Sequence, residues 1–132
     1  MNVLWIGKSG NPHVWYFIYP FVESKYTKGI TVVRKHLPNR KIESPKLTTI
    51  LFSSSSYFFE IWNYFWTGFK ALKKNKYDLI VSFSLVPWGV ISWCLAKIYR
   101  KKIILGLVGS DFNKHVKTSP FKTILKFILR KS

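Results

Sequence analysis

Two glycine-bearing turns hold the residue types in this chain best suited to chemistry. They are Gly7-Lys8-Ser9-Gly10-Asn11 near the start and Gly109-Ser110-Asp111 near the end. A glycine loop between a strand and a helix can aim backbone N–H groups at a phosphate or a sugar hydroxyl. The same residues can also form a plain tight turn. Asp111 can orient a hydroxyl or act as a base in a cleft, and it can equally serve as a turn or helix-capping carboxylate. His13 and His115 lie in or just after these turns, where an imidazole can bind phosphate or hydroxyl groups; His115 also suits a solvated surface. His13, His36 and His115 are far apart and show no H-x-x-x-H spacing, so no metal site is expected. Gly7-Lys8-Ser9 does not complete a P-loop, because the position that needs the first glycine is Asn2; G-x-G-x-x-G is absent too. Cys94 is the one cysteine, which excludes an internal disulfide and a multi-cysteine zinc site. It falls on the apolar face of an expected helix, where packing is its role.

The chain has 132 residues, with 22 Lys or Arg against 5 Asp or Glu and a formal net charge of +17. That length suits one domain. Apolar residues make up 48% and aromatics 18%, which argues against disorder despite the charge. Five acids are too few for carboxylate-rich work such as an EF-hand. The charge calls for an anionic neighbour: a phospholipid surface, a nucleic acid or a phosphorylated substrate. The apolar run at the start covers only Val3 to Ile6, with no basic segment before it, so a cytosolic start is expected rather than a signal peptide.

Periodicity and breakers place the elements that must position these residues. Val3–Ile6 reads as a buried first strand, and Pro12 suits the first turn of a helix that Pro20 should kink or end. Ile30–Val33 is a β-branched second strand and Leu47–Phe52 a third. Ser53–Ser56 can cap a helix whose Phe58, Ile61, Trp62, Phe65, Phe69 and Leu72 form one broad apolar face. Leu79–Ala96 carries no charge, so a membrane span is one reading. Ser82, Ser84, Pro87, Gly89 and Ser92 interrupt it, and favour a strand at Leu79–Phe83, a turn at Ser84–Pro87 and a helix at Trp88–Tyr99. Ile103–Val108 is a further buried strand, and Pro120 opens a helix over Phe121–Lys131. In that helix Lys122, Lys126 and Arg130 share one face and Phe121, Ile124, Leu125 and Ile128 another. A basic amphipathic helix of this kind can lie on anionic lipid, or simply pack on the sheet. Aromatics beside lysines suit a membrane interface and also base stacking, although no RNP1, helix-turn-helix or zinc-finger pattern is present.

Alternating strands and helices with nearly continuous apolar strands predict a parallel, doubly wound α/β sheet. Ligands on such sheets bind beyond the carboxyl ends of the strands. That rule selects three loops: Gly7–Asn11, Ser82–Trp88 (with Ser84 as a candidate contact) and Val108–Lys114.

Over Tyr77–Asp111 the chain resembles the N-terminal half of family-4 glycosyltransferases of the GT-B fold. The residues that carry the resemblance are the Tyr77-Asp78 pair, the strand Leu79–Phe83, a small-residue helix, and a strand that closes in Gly109-Ser110-Asp111. The resemblance implies a Rossmann-like domain over residues 1–132 that binds the acceptor. The donor nucleotide-sugar would be held mainly by a second domain bearing E-x₇-E, a motif this chain lacks. It implies sugar transfer to a lipid-linked or polysaccharide acceptor at the cytoplasmic membrane face. It also implies no metal and no cofactor beyond the nucleotide-sugar substrate, and a chain that does not turn over alone. Gly10 matches the family's glycine loop and Asp111 its G-S-D aspartate, with Gly109 and Ser110 as loop shape. Members often carry histidine where Val108 stands, and a histidine-containing run where Ser82-Phe83-Ser84 stands, so no catalytic role passes to those positions. Gly7, Ser9, Gly10, Asn11, His13, Ser84, Gly109 and Ser110 are therefore the candidate acceptor contacts, Asp111 the candidate catalytic residue, and Lys122, Lys126 and Arg130 the candidate membrane contacts. A small integral membrane protein spanning at 79–96 and a basic nucleic-acid-binding module are the alternatives.

Overall fold

The computed structural model describes residues 1–7, 14–35, 43–107 and 122–131. Five strands form one all-parallel sheet: β1 (Asn2–Ile6), β2 (Gly29–Arg34), β3 (Leu47–Leu51), β4 (Leu79–Phe83) and β5 (Lys102–Gly106). Their order is β3-β2-β1-β4-β5. The helices are α1 (Val14–Glu23), α2 (Tyr57–Lys74), α3 (Val90–Ile98) and α4 (Lys122–Lys131). The expected doubly wound, Rossmann-like α/β architecture is the one observed.

The sequence patterns follow from this order. β1 is flanked by β2 and β4 and covered on both faces, so all of Val3–Ile6 is buried. That is why it reads as an unbroken apolar run instead of an alternation. Its odd side chains, Val3 and Trp5, pack with Val14, Ile18 and Val22 of α1. Its even ones, Leu4 and Ile6, pack with Tyr64, Ala71 and Leu72 of α2 and with Ile91 and Leu95 of α3. Burying Leu4 or Ile6 contributes about 1.5–3 kcal/mol each. The chain travels one way from β1 to β2 and the other way from β3 to β4. Right-handed crossovers therefore put α1 on one face and α2 and α3 on the opposite one. Gly68 allows the close approach on that second face. A Cβ there would come within 2.8 Å of Leu95 Cδ1 and 2.9 Å of Ile6 Cδ1.

Several local expectations are corrected. Of the kink or end expected at Pro20, the end is not observed: α1 runs three residues further to Glu23. Ser56 is the N-cap of α2 with extended backbone, but its side chain makes no capping bond. Residues 79–96 are not one span: β4 is followed by an irregular turn at Leu85–Gly89, with Val86 extended and a cis Val86–Pro87 bond, and then by α3. Among the described residues no helix is long and apolar enough to cross a membrane. The last strand stops at Gly106 rather than Val108. The apolar residues of α2 do not share one face. Tyr64, Gly68, Ala71 and Leu72 are buried, whereas Phe58 and Trp62 are exposed.

Candidate functional site

The strand order reverses direction between β1 and β4, which makes their carboxyl ends the switch point where doubly wound sheets hold ligands. Two of the candidate residues from the sequence, Gly7 and Ser84, adjoin Phe83 there. Gly7 follows β1 and abuts the end of β4: a Cβ on it would lie 3.4 Å from the Phe83 carbonyl oxygen and 3.6 Å from the Phe83 nitrogen. Ser84, the next residue, has φ 79° and ψ 137°, a conformation that L side chains rarely adopt. It is held there because its N–H donates to the Gly106 carbonyl at 3.0 Å while its own carbonyl accepts from Gly89 N–H at 3.0 Å. Backbone held in such a region costs about 1–3 kcal/mol and tends to mark functional sites.

The neighbouring strand ends bring residues that sequence reasoning missed. Tyr64 of α2 donates its hydroxyl to the Gly7 carbonyl at 3.3 Å and accepts from the Lys35 backbone, so it ties the ends of β1 and β2 together. Burial, reinforced by the nearby Glu60 carboxylate, raises its pKa well above the ordinary range and keeps the phenol neutral. Arg34, the last residue of β2, is fully buried. Desolvation lowers its pKa, with Tyr64 opposing, but a guanidinium remains charged in water-like pH ranges. Lys35 pairs with Glu60 at 3.2 Å. Signals for Arg34 and Lys35 were present: two cations directly after a β-branched strand sit at its carboxyl end. Tyr64 gave none, since its spacing marks only a core position.

Two buried polar atoms in this part of the sheet have no hydrogen-bond partner among the described residues: Trp5 Nε1 and Ser82 Oγ. The Trp5 indole nitrogen lies 3.4 Å from the position a Gly7 Cβ would take. A buried donor without an acceptor costs about 1–3 kcal/mol, so these groups suit an arriving polar ligand or water.

Ser9, Gly10, Asn11 and His13, and likewise Gly109, Ser110 and Asp111, lie outside the described residues, as do His36 and His115. Lys122, Lys126 and Arg130 are exposed on α4, which buries Ile128 and packs on α3. Cys94 is half-buried and burial pushes its thiol pKa up, which fits packing and not nucleophilic attack. Among the described residues no three His, Cys, Asp or Glu side chains gather to hold a metal ion.

The amino edge of the sheet presents a cavity of about 370 Å³ lined by Asn2, Thr31, Lys46, Thr48, Lys76 and Tyr77, among others. Its polar groups already engage one another. Tyr77 donates to Thr31 Oγ1 at 3.0 Å, Asn2 Nδ2 to the Lys76 carbonyl at 3.2 Å, and Lys46 Nζ to the carbonyls of Val22 and Ser24. Asp78, half of the Tyr-Asp pair in the resemblance, accepts from Asn2 N–H at 2.7 Å and so joins the starts of β1 and β4. This cavity is a structural joint. The chain matches no protein-family model, and no curated protein matches it either.

Proposed function

We propose that this chain is the acceptor-binding half of a GT-B glycosyltransferase. The reaction would move a sugar from a nucleotide-sugar to a lipid-linked or polysaccharide acceptor beside an anionic membrane surface. The observation that carries the reading is the switch point between β1 and β4, where Gly7 lies beside Trp5 Nε1, which has no partner among the described residues, and where Ser84 is conformationally constrained. The fold gives the carboxyl edge to the ligand. The strand–helix–strand over Tyr77–Gly106 that carries the family resemblance is the one that builds this edge.

Each part has a chemical role in the proposal. Backbone groups of the Gly7 loop and the Ser84 turn would hold sugar hydroxyls. Arg34 and Lys35 would favour an acceptor that carries phosphate, since hydrogen bonds between charged partners are the strong ones. Tyr64 is a neutral donor engaged with Gly7, and Glu60 is paired with Lys35, so neither is a free base. Activation of the acceptor hydroxyl would fall to Asp111, on the strength of the resemblance. Charge on the leaving phosphates would be offset in the donor half, supplied by a C-terminal domain or a partner subunit. The basic α4 face of Lys122, Lys126 and Arg130 would lie toward anionic lipid.

An NMR titration of this chain tests the reading. A short-chain prenyl-pyrophosphate-linked sugar should shift the amide signals of Gly7 and of Ser82 to Ser84 more strongly than a nucleotide-sugar does. No shifts with either ligand, or shifts confined to the amino-edge cavity, would remove it.

A further inference from the structure

Helix α2 has two apolar faces, and only one of them is used by the fold. At 100° per residue, Ile61, Tyr64, Phe65, Gly68, Ala71 and Leu72 point at the sheet and α3. Phe59, Trp62 and Trp66 fall on the opposite side, with Phe58 at its border, and Lys70 and Lys73 continue that same stripe toward the C-terminus. Phe58, Phe59, Trp62 and Trp66 are 74%, 58%, 56% and 44% exposed. They are ordered among themselves: the Trp62 and Trp66 rings lie 6° from parallel at 6.4 Å, and Lys70 Nζ stands 5.6 Å from the Trp66 ring. Single exposed apolar residues need no explanation, but a contiguous aromatic stripe more than two turns long does.

We propose that this outward stripe of α2 seats the protein on an anionic lipid bilayer, with the aromatics in the headgroup and upper acyl region and the lysines on the phosphates. The proposal deepens the membrane part of the reading above and does not depend on sugar transfer. Charge complementarity selects the occupant. A chain of formal charge +17 repels a second copy of itself and attracts an anionic surface. The distribution then separates lipid from nucleic acid. Single-strand binders interleave cations with stacking rings along a groove. Here the stripe is convex, its first two turns carry aromatics without cations, and its lysines gather at one end. Tryptophan and lysine in that arrangement are what a bilayer interface accommodates. Helix α3 touches both α2 and α4, so the exposed Lys97 and the α4 cations belong to the same helical layer and add long-range attraction. The basic α4 face, expected from sequence to be the membrane contact, thereby becomes the electrostatic flank of an apolar anchor on α2.

Co-sedimentation with vesicles of phosphatidylcholine and phosphatidylglycerol tests it, against vesicles of phosphatidylcholine alone. The parent should bind the anionic vesicles, and lipids brominated near the headgroup should quench its tryptophan emission. Replacing Phe58→Ser, Trp62→Ser and Trp66→Ser together should lower the partition coefficient at least about tenfold, since each aromatic withdrawn forfeits its own burial. These residues are exposed, so the fold should survive, and the milder pair Trp62→Phe with Trp66→Phe should keep binding while losing most of the quenching. Changing Lys122, Lys126 and Arg130 to serine should weaken binding mainly at low salt. Undiminished binding by the aromatic triple variant would overturn the proposal in favour of charge alone. So would absent vesicle binding together with oligonucleotide binding that the triple variant abolishes, or together with a self-associated dimer that it dissolves. Failure of the acceptor titration would leave this surface standing, and failure here would leave acceptor binding standing.

Discussion

The two edges of the sheet are built from the same strands, yet they resolve their polar groups in opposite ways. At the amino edge, Asn2 pairs with Asp78 and the Lys76 carbonyl, Tyr77 with Thr31, and Lys46 with the carbonyls of Val22 and Ser24, around the cavity there. At the carboxyl edge a guanidinium is buried, Ser84 is held at positive φ, and Trp5 Nε1 and Ser82 Oγ lack partners among the described residues. The lesson is that an open volume is a poor guide to a site. The edge that keeps unmet polar demand and constrained backbone is the one we propose for the ligand, because each such feature costs stability.

The comparison breaks most decisively at Arg34. Arg34→Met should cost some stability, because it removes a buried guanidinium together with the interactions that guanidinium makes. It should weaken binding of a prenyl-pyrophosphate sugar by at least about tenfold, the size of one charge-assisted contact. Calorimetric titration and urea unfolding of the same sample decide it. A large loss of stability with unchanged affinity would make the carboxyl edge as structural as the amino one.

Ser84→Gly sharpens the contrast with a smaller effect of opposite sign. Glycine relieves the φ 79° backbone, so the unfolding free energy should rise by about 1 kcal/mol while acceptor affinity falls. Urea unfolding would check the first part, and the NMR titration the second. Asp78→Ala probes the other edge. It removes the acceptor for Asn2 N–H and should cost about 1 kcal/mol, with affinity unchanged. Loss of binding in that variant would tie the amino edge to function.

Tyr64→Phe has the smallest effect near neutrality, about 1 kcal/mol or less for one neutral hydrogen bond. Its signature lies in the alkaline limb. The folded phenol stays protonated where an unfolded tyrosine ionises, with an ordinary value of 10.0. Above that pH the folded state binds a proton that the unfolded chain has released. The contribution is therefore whole below pH 10.0 and declines as pH rises beyond it. Melting temperatures compared at about pH 8 and about pH 10.5 should fall less for Tyr64→Phe than for the parent. Equal losses in both proteins would mean that the hydroxyl is not sequestered.

Much of the scaffold was legible from residue patterns. Val3–Ile6, Ile30–Val33 and Leu79–Phe83 read as strands because parallel strands buried on both faces must be continuously apolar. Of the three carboxyl-edge loops expected from the alternation of elements, two described residues, Gly7 and Ser84, both adjoin Phe83 at the end of β4. Helix α2 was legible as a helix but not in its orientation. Its aromatics are so numerous that spacing alone admitted one broad face, where packing uses one side and leaves Phe58 and Trp62 outside. Pro20 was expected to kink or end α1, and the helix runs on past it because a proline late in a short helix removes one hydrogen bond without blocking the turn that follows.

By itself, then, the sequence determined the α/β class, the strands, the basic surface and the small-residue turns. These depend on local chemistry: the periodicity of apolar side chains, the absence of acids, and the places where glycine and proline interrupt. Only the tertiary structure decided that β1 lies between β2 and β4, that Tyr64 reaches the Gly7 carbonyl, that Arg34 is buried at the carboxyl edge, and which side of α2 faces out. Those outcomes join residues as much as 76 positions apart, through the direction each crossover takes and the closeness that Gly68 permits. Contacts between distant segments leave no periodic trace in the chain that forms them.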